Sequence, residues 1–310
     1  MKIYAPSYYK AFKCLADKCK NSCCIGWEID IDARTAARYR DMEGALAEKL
    51  RRCIKADGET ASFILDKNER CPFLSESGLC EIICELGEEG LCDICHRHPR
   101  FYNYLPDRIE VGLGISCEAA AELVLSAEEP FSLVEIGEEQ KRGEASDYSP
   151  VRDRDAVIAE LAEREKTLSE RLAAIKAQYS VPTIRTRDEW LSVFAELECL
   201  DGEWRAILEH AMEDGSDSFR RIGDSDSLLA ERLATYFVYR HLSSAVDEVD
   251  FRARLGFACL ATELVFELYY SSGRPLSEIA RRFSAEVEYS QENTQDIISE
   301  FDFYFNFEEE

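Results

Sequence analysis

The chain has 310 residues, an apolar fraction of 46% and a formal net charge of -25. Length allows one large domain or two ordinary ones, and the apolar fraction excludes a disordered chain. The acidity excludes a general nucleic-acid binder, which needs a basic footprint, and suits either a well-solvated surface or a basic substrate such as a lysine side chain.

The N-terminus, Met1 to Lys10, carries no apolar run of signal-peptide length. The most apolar stretch, Leu255 to Tyr270, is too short to span a bilayer and contains Glu263 and Glu267. These features predict a cytoplasmic chain without membrane insertion. Disulfides do not persist in a reducing compartment, so clustered thiols there point to metal.

In chain order, residues 1–24 read as an opening loop with a short helix near Tyr8–Leu15. Trp27 to Asp32 alternates large apolar and acidic residues, as a short strand or extended segment does. Thr35 to Arg52 has helical spacing, and Ser62 to Leu65 reads as another short strand. Residues 66–117 are punctuated by Cys, Gly and Pro and read as irregular backbone. A helix is expected from Glu118 to Ser126. Residues 135–152, with Gly137, Gly143 and Pro150 among charges, read as a linker. Val157, Leu161, Leu168, Leu172, Ile175 and Tyr179 then mark an amphipathic helix that Pro182 ends. Trp190 to Leu208 and Leu229 to Val246 carry two more helical stripes. Phe251 to Tyr270 is apolar nearly all round and reads as a central buried helix. Two shorter helices, roughly 276–288 and 292–303, precede an acidic tail at Glu308–Glu310. The fold class is therefore mainly α. An irregular cysteine-rich metal-binding domain with a few short strands spans 1–134, a linker 135–152, and a helical domain 153–310.

Eleven of the thirteen cysteines lie at or before Cys117, with only Cys199 and Cys259 beyond it. Cys14, Cys19, Cys23 and Cys24 fall within eleven residues. Thiolates bind soft and borderline metals, and close spacing lowers the entropic cost of gathering them. The spacing is neither a zinc-ribbon pair nor a ferredoxin run. Adjacent Cys23 and Cys24 point in different directions in most backbone conformations and can serve two centres. Cys92-x2-Cys95 is a metal knuckle, and Cys71 and Cys80 can add ligands from flanking loops. The Cys92-Asp-Ile-Cys95-His96 run also fits a c-type haem attachment site, which the missing export signal disfavours, and a redox-active Cys pair, which leaves the other cysteines unexplained. His96 and His98 are either metal ligands, proton carriers or loop residues bonded to backbone. Arg100 can pair with a carboxylate or a cluster sulfur. Glu118 can act as a base for a lysine amine or simply place charge at a helix N-terminus. Pro275 to Phe283 looks like the first helix of a helix-turn-helix, but the next helix is acidic, which excludes DNA reading. No dinucleotide, Walker or HExxH motif is present. Spacing thus names a metal and leaves the reaction open.

Several motifs together resemble the flagellin lysine-N-methylase family. They are Ala5-Pro-x-Tyr8-Tyr9-x-x-Phe12-x-Cys14, Cys19-x3-Cys23-Cys24-x-Gly26-Trp27-x-Ile29-x-Ile31-Asp32, Cys71-Pro-Phe-Leu74, Gly78-Leu-Cys80-x-Ile82, Leu86-Gly-Glu88, Leu91-Cys-x-x-Cys95, Pro99-Arg-Phe101 and Ser116-Cys-Glu118. The N-terminal part is also similar to small CxxCxxCC zinc- or iron-chelating proteins. The resemblance covers roughly residues 3–125. It implies methyl transfer from S-adenosylmethionine to lysine amines of a protein, flagellin in the family, with a 4Fe-4S cluster taking part. It carries over Cys14, Cys19, Cys23, Cys24, Cys71, Cys80, Cys92, Cys95 and Cys117 as metal ligands, with Glu118 and Arg100 as catalytic candidates. Cys53 and Cys84 fall outside the motif. His96 stands where the family more often has Arg, and Glu118 follows Cys117 where Pro often intervenes. The alternatives from other classes are a non-enzymatic zinc- or iron-binding protein and an iron–sulfur redox protein.

Overall fold

A computed structural model describes residues 1–57, 60–139, 148–213 and 215–307. In chain order the elements are β1 (Lys2–Pro6), α1 (Ala33–Asp41), α2 (Ala45–Cys53), β2 (Ile54–Asp57), β3 (Thr60–Phe63), α3 (Glu81–Leu86), α4 (Asp93–Arg97), β4 (Arg100–Tyr104), β5 (Arg108–Leu113), α5 (Glu118–Ser126) and β6 (Leu133–Glu138). Then follow α6 (Val151–Leu161), α7 (Leu168–Gln178), α8 (Arg187–Glu196), α9 (Gly202–Met212), α10 (Ser227–His241), α11 (Glu248–Ser272), α12 (Leu276–Phe283) and α13 (Gln291–Phe307). The protein is mainly α. Among the described residues, no helix is long and apolar enough to cross a membrane.

The chain divides into two compact units. One holds Met1–Phe12, Phe101–Ser116 and Ala120–Glu310, and the other holds Lys13–Arg100 with Cys117–Ala119. These units are bounded differently from the expected division at 134/135. The expected cysteine-rich domain of 1–134 loses both its first twelve residues and most of its last thirty-four. The reason is a four-stranded sheet of order β4-β5-β1-β6, in which β1 pairs parallel with β5 and antiparallel with β6. Lys2 stands opposite both Arg108 and Glu138. A segment expected to be a loop is thus an inner strand, and the short helix that follows is a single 3-10 turn, Ser7–Ala11. The expected linker begins inside β6. Its Gly143 and the acidic tail Glu308–Glu310 lie outside the described residues.

In the larger unit, two of the three expected stripes become interrupted helices. The stripe from Val157 to Tyr179 is α6 and α7. Its restart is fixed by Thr167, whose side chain accepts from Glu170 N while the Glu170 carboxylate accepts from Thr167 N. Thr186 and Glu189 open α8 in the same way, and Asp201 caps α9 by accepting from Glu203 N and Trp204 N. The central helix α11 is buried nearly all round and ends at left-handed Gly273. A Cβ on Gly256 would lie 2.6 Å from the Phe301 ring, so the glycine lets that ring pack against α11. Phe283 is the hub of the core, with ring centroids 6.1 Å from Phe194, 6.4 Å from Trp204 and 5.4 Å from Phe237. After α12 the chain makes one π turn, Ser284–Glu288, that turns Glu288 inward onto Tyr236 Oη at 2.9 Å and His241 Nε2 at 2.6 Å.

Three buried arginines of this unit are paired with carboxylates. Arg154 donates to Glu110 and Ser243, and both charged side chains are fully buried. Arg187 pairs with Glu267 at 2.8 Å, and Arg171 with Glu231 at 3.0 Å.

The smaller unit has a modest core of eleven buried residues: Ile29, Ile31, Tyr39, Leu46, Leu50, Phe63, Cys71, Phe73, Leu74, Ile82 and Cys92. The single helix expected over 35–52 is broken into α1 and α2 at Gly44, whose φ of 101° suits glycine alone. β2 and β3 form a hairpin, and the 27–32 segment lies extended beside β3, with Ile31 N donating to Ala61 O and Phe63 N to Ile29 O. Residues 66–100 are less irregular than expected, since they include α3 and α4.

Candidate metal centre

All nine motif cysteines belong to the smaller unit. The described cysteines stand as thiols, with no disulfide among them. Cys71 and Cys92 are buried, Cys14 and Cys23 exposed, and Cys19, Cys24, Cys80, Cys95 and Cys117 half-buried.

Backbone pairing gathers them. Cys71 N donates to Cys24 O at 2.8 Å and Gly26 N to Glu69 O at 3.0 Å, which lays the 24–26 turn along 69–71. Glu81 N donates to Phe73 O at 2.8 Å and folds the Cys80 turn back on Cys71. Asp32 caps α1 through Oδ1 on Thr35 N and also accepts Asp93 N on Oδ2, each at 2.9 Å. One carboxylate thus orders α1 and the Cys92 turn together. Tyr39 Oη donates to Gly90 O at 2.7 Å, and the Arg38 guanidinium grips the carbonyls of Glu89, Gly90 and Leu91.

Two thiol neighbourhoods result. Cys19 and Cys23 are both in electrostatic reach of Cys14 and Cys117. Cys71 is in reach of Cys24, Cys80 and Cys92, and Cys95 of Cys92, Cys24 and Cys23. The neighbourhoods meet at the hydrogen-bonded pair Cys23–Cys24. Several sulfurs also receive backbone N–H groups: Cys14 from Ala16 at 3.4 Å, Cys71 from Phe73, Cys80 from Ile83 and Ile82, and Cys92 from Cys95. Amide donors aimed at sulfur favour the thiolate, the form that binds metal.

Sharing one proton splits each close pair. The hydrogen bond from Cys23, helped by Ser22 and Arg70 against burial, brings Cys24 down to about 7, while its partner Cys23 is pushed up. Likewise Cys92 is lowered by its bond with Cys95, and Cys95 is raised. Burial pushes Cys71 up to about 12. The donor set therefore fits a thiolate-bound centre in its chemistry. As the side chains stand, no group of three or more His, Cys, Asp or Glu among the described residues is placed to hold a metal ion.

The two catalytic candidates are placed differently from a free acid–base pair. Glu118 Oε2 accepts from Lys20 N at 2.9 Å and Asn21 Nδ2 at 3.2 Å, and lies 3.8 Å from Cys19 Sγ. It anchors the Cys19 turn. Arg100 lies 3.5 Å from the His98 carbonyl, and burial, with Arg100 adding, brings His98 down to about 4. His96 is exposed on α4. Cys84 is an exposed residue of α3, and Cys259 is buried in the other unit's core, where burial pushes it up to about 12.

Sequence reading passed over Asp32 and Arg70 as site residues. Arg70 braces the Cys71 turn through the carbonyls of Leu74 and Ser75, at 3.2 and 2.6 Å, and sets its charge by Cys24. The available signal was position, since Arg70 directly precedes Cys71-Pro. Replacing the anchor should show its role: in metal-free, reduced protein, Glu118→Ala speeds iodoacetamide alkylation of Cys19, read by peptide mass spectrometry, while Glu122→Ala on the same helix does not. An unchanged rate would mean that the carboxylate does not hold the turn.

No protein-family model matches the chain, and no solved structure matches it. Among curated proteins, the chain is 25% identical over 146 residues to the lysine-N-methylase of Salmonella typhimurium, covering 43% of this chain and 35% of that protein. The match to the lysine-N-methylase of Salmonella choleraesuis has the same extent. The flagellar biosynthetic protein FliU of Salmonella muenchen is 23% identical over 146 residues, covering 82% of its length. The match thus spans about a third of the two methylases. Over 43% of its length, then, this chain is similar to proteins named lysine-N-methylase, in keeping with the family its motifs resemble.

Proposed function

We propose that this protein methylates lysine ε-amines of a protein substrate, with S-adenosylmethionine as donor and a cysteine-held 4Fe-4S cluster, and that flagellin-type proteins are the substrate class. What carries the reading is similarity to proteins named lysine-N-methylase in a chain whose nine motif cysteines collect in one unit. Zinc or a simple iron site is the alternative occupant of the same thiols. The ligand set is drawn from Cys14, Cys19, Cys23 and Cys117 in one neighbourhood, and from Cys24, Cys71, Cys80, Cys92 and Cys95 in the other.

A bound cluster supplies thiolate-ligated iron that can take up or release an electron. The chain's own residues do the rest. Asp32, Arg38 and Tyr39 fix the Cys92 turn, Arg70 fixes the Cys71 turn, and Glu118 fixes the Cys19 turn. A lysine amine, with a pKa of about 10.4 in water, must lose its proton before it attacks a methyl group, and desolvation favours that loss. With Oε2 engaged, Glu118 serves first as an anchor, and any role as base falls to its other oxygen. Arg100 is the cation for a carboxylate or sulfur beside the centre.

The test uses the full chain purified without oxygen. Metal analysis with visible absorption should show iron and the broad charge-transfer band of thiolate-bound iron. Incubation with radiolabelled S-adenosylmethionine and cell extract should place label on protein lysines. A colourless, zinc-only protein would remove the cluster. Absence of label with an intact iron centre would favour a metal-binding or redox protein.

A further inference from the structure

We propose that the groove between α8 and α13 docks the substrate, as a lysine-rich chain segment that carries an apolar side chain among its lysines. The inference rests on the lysine-methylation reading and adds to it a place and a sequence preference. The groove encloses about 1060 Å³ and lies wholly within the larger unit. Its apolar lining is Val193, Leu197 and Phe303, the last 57% exposed. Its rim is acidic, with Glu196 and Glu198 on one side and Glu292 and Asp296 on the other.

The helical registers build this shape. Glu292, Asp296 and Phe303 follow one another at steps of four and seven along α13, and so share a stripe. On α8, Val193 and Glu196 are three apart and share a stripe, and Leu197 follows directly after the helix. Asn293, between the two helices, donates to Glu198 O at 2.8 Å and holds the walls at this spacing. Some carboxylates elsewhere in the unit have cationic partners. Glu263 is matched by Lys176, and Glu203 by Arg274 and Arg282. Among the described residues that line the groove the one cation is Arg185, which pairs with Glu300 at 2.6 Å. Glu196, Glu198, Glu292 and Asp296 form no ion pair among the described residues. Like charges held along both walls repel one another, and a cationic partner relieves that repulsion. The exposed Phe303 ring supplies a hydrophobic contact, which a free metal ion would not use and an amphipathic segment would.

The probe is a short fluorescein-labelled lysine-rich peptide containing one leucine, titrated with the full chain and followed by anisotropy. Glu196→Lys with Asp296→Lys should weaken binding about tenfold or more. The charge-matched control, Glu163→Lys with Glu165→Lys on the α6–α7 turn, should leave it within about twofold. Phe303→Ala, or leucine→serine in the peptide, should weaken binding as well. Equal weakening by both double variants would reduce the effect to general acidity and overturn the proposal. So would displacement by calcium chloride but not by sodium chloride of equal ionic strength, which would make the groove a cation site. Label transfer to protein lysines supplies a separate arm. Transfer undiminished in Glu196→Lys with Asp296→Lys would reject the groove while methylation stands. Groove-dependent peptide binding in a chain that transfers no label would support the docking surface and reject methylation.

Discussion

Glu110→Ala is expected to destabilise the larger unit by about 3–5 kcal/mol, because it takes the buried carboxylate partner from the fully buried Arg154. Glu110 sits on β5 between two guanidiniums: Arg108 at 2.7 Å, and Arg154, whose side chain is fully buried. Arg154 also donates to Ser243 Oγ at 2.6 Å and to Asp155 at 2.7 Å, so its position is fixed by several partners and it cannot swing out to water. The loss should appear as a lower midpoint in urea, followed by fluorescence of Trp190 and Trp204, which both lie in this unit. The double variant Glu110→Met with Arg154→Met should regain most of it, since an apolar pair of similar volume replaces a desolvated ion pair at little cost. A small loss for Glu110→Ala would show that water reaches Arg154.

The second large effect concerns the thiols. In protein loaded with its metal, Cys92→Ser is expected to lose metal and to open the smaller unit. Cys92 is buried in that unit's core and starts the turn that Asp32, Arg38 and Tyr39 hold. Cys24→Ser should behave alike, being within reach of the second neighbourhood, whereas Cys23→Ser should spare that neighbourhood and affect the first. Cys199→Ser and Cys259→Ser lie in the other unit and should retain full metal content. Metal per chain and limited proteolysis of residues 13–100 provide the readout. A structural zinc or iron site contributes folding free energy on the order of 10 kcal/mol, so loss should be clear rather than graded. Equal metal loss at Cys199 would mean that the ligands had been assigned to the wrong part of the chain.

Some features were legible in sequence because they are local. Helix α5 begins at Glu118 as expected, and α11 ends at Gly273, where a left-handed residue was needed. The helical stripes were seen, but periodicity carries across a break that keeps phase. Capping residues such as Thr167 and Asp201 marked the breaks, and only the pairing of Thr167 with Glu170 made the first unambiguous. β1 was missed for a different reason: five residues with one Pro carry little strand signal, and its partners lie more than a hundred residues away. The clustering of the nine cysteines could be inferred from sequence, but their order in space could not. Contacts such as Lys20 N to Glu118 span 98 residues, and no local pattern encodes them.

The inner position of β1 also has a temporal side. Tyr4 pairs with Glu110 and Glu135, so at about 5–20 residues per second the strand leaves the ribosome roughly five to twenty seconds before its parallel neighbour. Through that interval its amides are unpaired and open to trapping by another chain. Residues 13–100 emerge in the same interval. If they collapse first, the loop between β1 and β5 is shortened to a folded insert, and the entropic cost of closing the sheet falls. Cysteine occupancy would then govern how fast the sheet forms.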